Sequence, residues 1–169
     1  DAARSISSTF GDTIIQANSA PLNVEFNAGV DGVSGSINYD GLIRTNGGNV
    51  TMRALGNGFS DCGICMSGAF IDTRVGGLDS NPGGNVSLTV PAPGTQVDGF
   101  TRAAIDLDRT SIFTSSGDVA ISGFSQSGTG VRIASTIFSA EGSGSIQTTS
   151  GDITITGVGA FPRQPPPAP

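Results

Sequence analysis

The chain of 169 residues has few charged side chains, 13% of the total, and a net charge of −6 with a sequence pI of about 4.3. Its eight basic residues are all Arg, and this acidic balance argues against binding to nucleic acid or to anionic membranes, which needs clustered cations. The sequence contains no His and no Lys, which excludes the commonest general base, the Ser-His-Asp triad and Schiff-base chemistry. We therefore expect a protein that is not an enzyme and uses no cofactor. No apolar run is long enough to span a bilayer, so we also expect no direct membrane insertion.

Taken in chain order, one short pattern recurs five times. It consists of Ile, any residue, Thr or Ser, two more residues, Gly, then Asp or Asn, and an apolar alternation that indicates a strand. The copies occupy residues 5–16, 42–53, 77–89, 111–122 and 145–156. Another strand is predicted in front of the later copies, at residues 35–40, 69–74, 103–108 and 130–135.

The repeat predicts the fold. Its Asp or Asn position falls at Asp12, Asn49, Asn85, Asp118 and Asp152, which gives a period of 33–37 residues. Three short strands per repeat, separated by Gly-rich corners, predict an all-β protein, a right-handed parallel β-helix (β-solenoid) of about five coils. The coils should occupy residues 1–160, and a Pro-rich tail follows at 161–169. An antiparallel sandwich is the main rival, but it does not explain a fixed repeat.

Two columns of inward-facing aliphatic side chains should form the core, because no single coil can bury its own face. The first column is Ile6, Ile43, Leu78, Ile112 and Ile146, and the second is Ile15, Met52, Leu88, Ile121 and Ile155. The corner glycine of each repeat, such as Gly151, is expected to bend the chain at a positive φ.

Several segments resemble a known family. TGVRIASTIFSAEGSGSIQTTSGDITITG and NPGGNVSLTV are similar to the repeats of filamentous-haemagglutinin-like exoproteins. The resemblance implies a β-helical, secreted and surface-associated bacterial protein, often an adhesin, and hence an extracellular or cell-surface location. The NPNG-like signature of that family's secretion domain is missing, since Asn81-Pro82-Gly83-Gly84 is expected to be a turn within a repeat. Export by the two-partner route is therefore not predicted.

The column of Asp12, Asn49, Asn85, Asp118 and Asp152 has two interpretations. These oxygen-bearing side chains could form an outward calcium stack, since hard cations prefer oxygen ligands. They could instead cap backbone N–H groups at the corners and stack as an amide ladder. The tandem calcium-binding pattern GGxGxDxUx is absent, which favours the corner ladder over a metal site.

A glycan-binding or glycan-cleaving site is the alternative function. Its candidate residues are Asp72, Asp106, Asp108, Arg74 and Arg109, which fall near corresponding strand positions of neighbouring repeats. Stacked carboxylates could share a proton and act on a saccharide. The same spacing is also expected if these residues only alternate on the outer faces as charge partners.

The two cysteines form a CxxC motif, Cys62 and Cys65, in the predicted insertion between the second and third coils. No helical pattern surrounds the motif, so it does not resemble a thioredoxin-like site. A small disulfide that pins a surface loop is the favoured interpretation, and free thiols or an intermolecular bond remain open.

The two ends of the solenoid are the expected interaction surfaces. Open coils expose strand edges that invite pairing, and no helical cap is predicted at either end. The assembly candidates are Ser5, Ile6, Ile153, Ile155, Phe161, Pro165, Pro166 and Pro167. We expect the partners to be copies of this chain or other surface-protein chains, with the tail as a strap, and the result to be a filament, sheath or large exoprotein. The alternative is that the chain is a piece of a longer solenoid.

Overall fold

The computed structural model describes residues 5–8, 13–29, 35–55, 62–92, 103–126, 128–134 and 144–159, which form short strands joined by tight corners. In chain order the strands are β1 (Ser5–Ser7), β2 (Ile14–Gln16), β3 (Val24–Ala28), β4 (Ser36–Tyr39), β5 (Leu42–Arg44), β6 (Val50–Ala54), β7 (Cys62–Ser67), β8 (Phe70–Asp72), β9 (Val86–Val90), β10 (Ala103–Asp108), β11 (Ser111–Phe113), β12 (Val119–Phe124), β13 (Thr129–Ala134), β14 (Ile146–Gln147) and β15 (Ile153–Val158). One 3-10 turn, Val75–Gly77, lies between β8 and β9.

The strands form three parallel sheets of five strands each. The first sheet has the order β1-β4-β7-β10-β13, the second β2-β5-β8-β11-β14, and the third β3-β6-β9-β12-β15. Consecutive strands therefore belong to different sheets, and every third strand returns to pair with the strand of the preceding coil. The protein is a parallel β-solenoid of five coils, as the repeat predicted.

Apolar side chains fill the space between the three sheets. In register, the first sheet contributes Ile6, Ile37, Ile64, Ile105 and Val131; the second contributes Ile15, Ile43, Ile71, Ile112 and Ile146; the third contributes Phe26, Met52, Leu88, Ile121 and Ile155. The members from the middle coils are fully buried. A flanking valine column in the third sheet runs from Val24 to Val119.

The predicted columns were wrong at two places. Ile6 pairs with Ile37 in the first sheet, and Ile15 pairs with Ile43 rather than lying beside Met52. The apparent repeat at 5–16 therefore covers strands of the first and second sheets, whereas most of the other copies cover strands of the second and third. The third strand of the first coil lies later, at Val24–Ala28.

The second error concerns Leu78. It lies beyond the 3-10 turn and is 57% exposed, and the place predicted for it in the core belongs to Ile71, which is fully buried. An excursion between Thr73 and Gly84 displaced the pattern: the hydroxyl of Thr73 donates to the carbonyl of Gly84, eleven residues on. In the neighbouring coils the same bond joins Thr45 to Gly48 and Thr114 to Gly117, three residues on in each case.

The corner glycines are required by close packing between coils. A Cβ on Gly84 would lie 2.1 Å from the carbonyl oxygen of Gly48, and one on Gly117 would lie 2.2 Å from that of Gly84. The expectation of a positive φ at Gly151 was wrong, because the glycines with positive φ are at other positions, such as Gly47 and Gly68. A Cβ at Gly151 would instead meet the carbonyl oxygen of Gly117 at 2.2 Å.

Candidate functional site: the corner ladder and the last coil

A ladder of hydrogen bonds climbs the corner that precedes the third sheet. The side-chain oxygen of each Asn or Asp accepts the backbone N–H of its counterpart in the next coil, over 2.8–2.9 Å. The members are Asn23, Asn49, Asn85, Asp118 and Asp152, which are 26, 36, 33 and 34 residues apart. Their oxygens therefore cap backbone donors at the corner, and no three His, Cys, Asp or Glu side chains of the described residues are placed to hold a metal ion.

The first member of the ladder differs from the prediction. Asn23 takes the place that the repeat assigned to Asp12, which lies outside the described residues. Asn23 follows Leu22 rather than Gly, so the Gly-Asn or Gly-Asp signature does not find it. The apolar alternation of Val24 and Phe26 directly after it is the signal that could have identified the corner.

The last coil presents its apolar side chains to solvent. Ile133, Ile153, Ile155 and Val158 are 50%, 43%, 46% and 48% exposed, although Val119 and Ile121 in the preceding coil are buried. Within the described residues, β13, β14 and β15 each pair with one neighbour only and leave a strand edge open. We call this surface the last-coil face.

The ladder also ends at the last-coil face. The carboxylate of Asp152 is exposed and accepts no hydrogen bond from the described residues, whereas the corresponding oxygens below it are all used. A further coil that stacked here could therefore donate a backbone N–H to Asp152 and cover Ile153 and Ile155.

The other assembly candidates lie elsewhere. Ser5 and Ile6 are in β1, at the opposite end of the first sheet, where β4 is the one neighbour of β1 in the described residues. Phe161, Pro165, Pro166 and Pro167 lie outside the described residues. The tail as a strap stays a prediction.

The candidate glycan residues do not come together as expected. Asp72 is in the second sheet, where it faces Arg44 and Phe113 on adjacent strands. Asp106 and Asp108 are in the first sheet, on β10. The prediction that Asp72 stacks with Asp106 and Asp108 was wrong, because β8 belongs to the second sheet and β10 to the first.

Each of these carboxylates has an arginine partner. Arg74 binds Asp72 through Nε at 2.8 Å and through its terminal nitrogen at 2.9 Å, and its guanidinium lies 4.9 Å from the ring centre of Phe113. Hydrogen bonding to Asp72 raises the pKa of Arg74 further above its already high value. Asp106 pairs with Arg132 at 2.7 Å. The Asp72–Arg74 pair is local, since the two residues are two positions apart, whereas the Asp106–Arg132 pair joins β10 to β13 of the next coil, as expected for charge partners.

Asp108 lies in a different setting. Its carboxylate is 3.7 Å from Nε of the adjacent Arg109. A terminal nitrogen of Arg109 donates to the hydroxyl of Ser67. Asp108 and Asp106 line a shallow cavity of about 160 Å³ together with Asp40, which the sequence did not single out. The approach of Asp40 to these residues depends on the pairing of β4, β7 and β10, so no local pattern reveals it.

Cys62 and Cys65 are joined by a disulfide. Both lie within β7, in the middle of the first sheet, and Cys62 is buried. The expectation that the bond pins a surface loop was therefore wrong: it links two positions of one strand that is paired on both sides.

Tyr39 gives the solenoid a measurable dependence on high pH. Burial, and secondarily the charge of Asp40, raises the pKa of its phenol to about 12, and its hydroxyl donates to the carbonyl of Leu42 at 3.1 Å. Because the folded state disfavours the phenolate, stability is full below pH 10 and should fall as the pH rises from about 10 to 12, by roughly 1–3 kcal/mol.

The chain has one Tyr and no Trp, so the rise in absorbance at 295 nm that accompanies phenolate formation reports Tyr39 alone. We expect a midpoint near pH 12 in the folded protein and near pH 10 in denaturant. The variant Tyr39→Phe should lose this part of the pH dependence of unfolding. A folded midpoint near pH 10 would contradict the assignment.

Comparison of the sequence with protein-family models, with curated proteins and with solved structures finds no match. The described residues include no helix of the length and apolarity that a membrane crossing needs. The fold and the surface features define this chain as a parallel β-solenoid with an internal hydrogen-bond ladder and an apolar last coil. The resemblance to filamentous-haemagglutinin-like repeats stays a prediction.

Proposed function

We propose that this chain is a structural or adhesive β-solenoid module of the bacterial cell surface, and that its last-coil face docks a further β-coil of another polypeptide. It serves as a unit of an appendage, sheath or large exoprotein, and it is not an enzyme. The observation that carries the proposal is the last-coil face, where open strand edges, exposed aliphatic residues and an unused ladder acceptor coincide.

Physical chemistry supports docking by addition of strands. An extended segment gains main-chain hydrogen bonds along an open sheet edge, and pockets for alternate side chains set its register. Covering Ile153, Ile155 and Val158 would remove apolar area from water at about 25 cal/mol per Å². The surface location is supported by the resemblance of the repeats and by the disulfide, since such bonds persist in oxidising compartments.

A peptide of residues 144–159, GSIQTTSGDITITGVG, carries one corner and its flanking strands. We expect the labelled peptide to bind the whole protein, measured by fluorescence anisotropy. Binding should weaken at least about tenfold in the variant Ile155→Arg, because a charge on the last-coil face must be desolvated.

The matched control is Ile14→Arg, which changes an exposed isoleucine of the first coil. This variant should bind the peptide as well as the unmodified protein does. Circular dichroism and thermal unfolding would verify that both variants fold. The proposal fails if the peptide does not bind, or if Ile155→Arg binds it without loss.

A further inference from the structure

The corner of the first coil differs from the corners above it. In the later coils the residue before the ladder member is Gly48, Gly84, Gly117 or Gly151. In the first coil that residue is Leu22, and its carbonyl oxygen lies 2.2 Å from a Cβ built on Gly48. Leu22 therefore occupies the same stack as these glycines, and it is the member with a side chain.

A second position of this corner has also changed. The backbone N–H of Ala17 donates to the carbonyl of Arg44 at 2.8 Å, as that of Thr45 donates to Asp72 at 3.0 Å. Ala17 thus corresponds to the buried threonines, but it has no hydroxyl to bond the corner carbonyl. The first coil has lost both the threonine and the glycine of the corner.

A glycine in this stack is what allows a coil to lie on the coil below it. At each later corner, a Cβ built on the glycine would lie 2.1–2.2 Å from the carbonyl oxygen of the corner residue in the preceding coil. Real Cβ atoms do not come this close to another atom. If the first coil of one copy were placed on the last coil of another in register, the Cβ of Leu22 would meet the carbonyl of Gly151 in the same way. Backbone atoms on both sides leave no flexible group that could yield.

The remaining contacts of such a stack would match. The ladder would continue from the carboxylate of Asp152 to the backbone N–H of Asn23, which lies at the foot of the ladder. The columns ending in Val131, Ile146 and Ile155 would continue into Ile6, Ile15 and Phe26. The conflict at Leu22 would therefore fall beside a ladder and columns whose residue types continue from one copy to the next.

We infer that Leu22 closes the first coil to head-to-tail stacking, so that the last-coil face selects a separate chain whose corner carries Gly followed by Asn or Asp. This inference rests on the proposed function and names the class of partner. The two faces consequently differ: Leu22 blocks stacking on the corner of another copy, whereas the last-coil face accepts a further coil.

The test compares three forms of the full chain by sedimentation velocity over a wide range of concentration: the unmodified protein, Leu22→Gly and Leu22→Ala. Because the conflict is at Cβ, Leu22→Gly should associate, with an average mass that rises to at least twice the monomer value of 16.9 kDa. The unmodified protein and Leu22→Ala should stay monomeric. Adding Ile155→Arg to Leu22→Gly should restore the monomer.

Leu22→Ala is the decisive control, since it removes the exposed apolar side chain but keeps the Cβ. Equal behaviour of the Ala and Gly variants would overturn the inference, and so would association of the unmodified protein that Ile155→Arg abolishes. The peptide 144–159 separates this failure from failure of the proposed function. A peptide carrying Gly151→Leu should bind at least about tenfold less well, and loss of binding by the unmodified peptide would reject the docking face itself.

Discussion

Replacing Gly117 by alanine is expected to lower the free energy of unfolding by about 3 kcal/mol or more, because overpacking against backbone cannot be relieved by a rotamer change. The added Cβ would lie 2.2 Å from the carbonyl oxygen of Gly84. To accommodate it, the coils must separate at this corner, which strains the ladder bond from Asp118 to Asn85. The loss is measured by urea unfolding followed by circular dichroism.

Gly68→Ala is the matched control for this prediction. Gly68 also has a special backbone, with a φ of +73°, but no atom lies within 4 Å of the added Cβ. Its substitution should cost only the strain of a left-handed residue, about 1–2 kcal/mol. If Gly117→Ala were no more destabilising than Gly68→Ala, the close approach of coils would not be the reason for the corner glycines.

The difference between sequence and structure has a physical explanation at each point. The later coils were predictable because each corner combines a threonine, a glycine and an Asn or Asp, and these three residues lie close together in the sequence. Three of the four ladder bonds join residues that the repeat identified, and the fourth joins Asn49 to Asn23. The first coil escaped detection because its corner carries Ala17 and Leu22 instead.

Long-range pairing set the limit for the candidate sites. Whether Asp72 and Asp106 meet depends on which of three sheets each strand joins, and similar local patterns occur in all of them. The positions of the corner glycines could be predicted from the sequence. The reason for glycine there could not, since a positive φ and a close contact with backbone both favour Gly. The exposure of the last-coil face likewise depends on the stacking order of the coils.

Substitutions at Ile71 and Leu78 distinguish two alignments of the third repeat, one with Ile71 and one with Leu78 in the core column. Ile71 lies between Ile43 and Ile112 in the second sheet and is fully buried. Ile71→Ala should therefore cost about 2–5 kcal/mol, through lost transfer free energy and the cavity that remains. Leu78→Ala, at an exposed position in the excursion, should change stability by no more than about 0.5 kcal/mol.

Both variants replace a branched aliphatic side chain by alanine, so a difference in their stabilities reflects the position of the residue and not its chemistry. Denaturant unfolding at one pH gives both values, and an unchanged slope with denaturant would show that the unfolded states are comparable. If Leu78→Ala were the more damaging change, the alignment of the repeat at 77–89 would be right and the pairing of β8 with β5 and β11 would be wrong. A large loss at Ile71 alone places the insertion between Thr73 and Gly84, so that the excursion interrupts the sequence repeat while the coil itself continues.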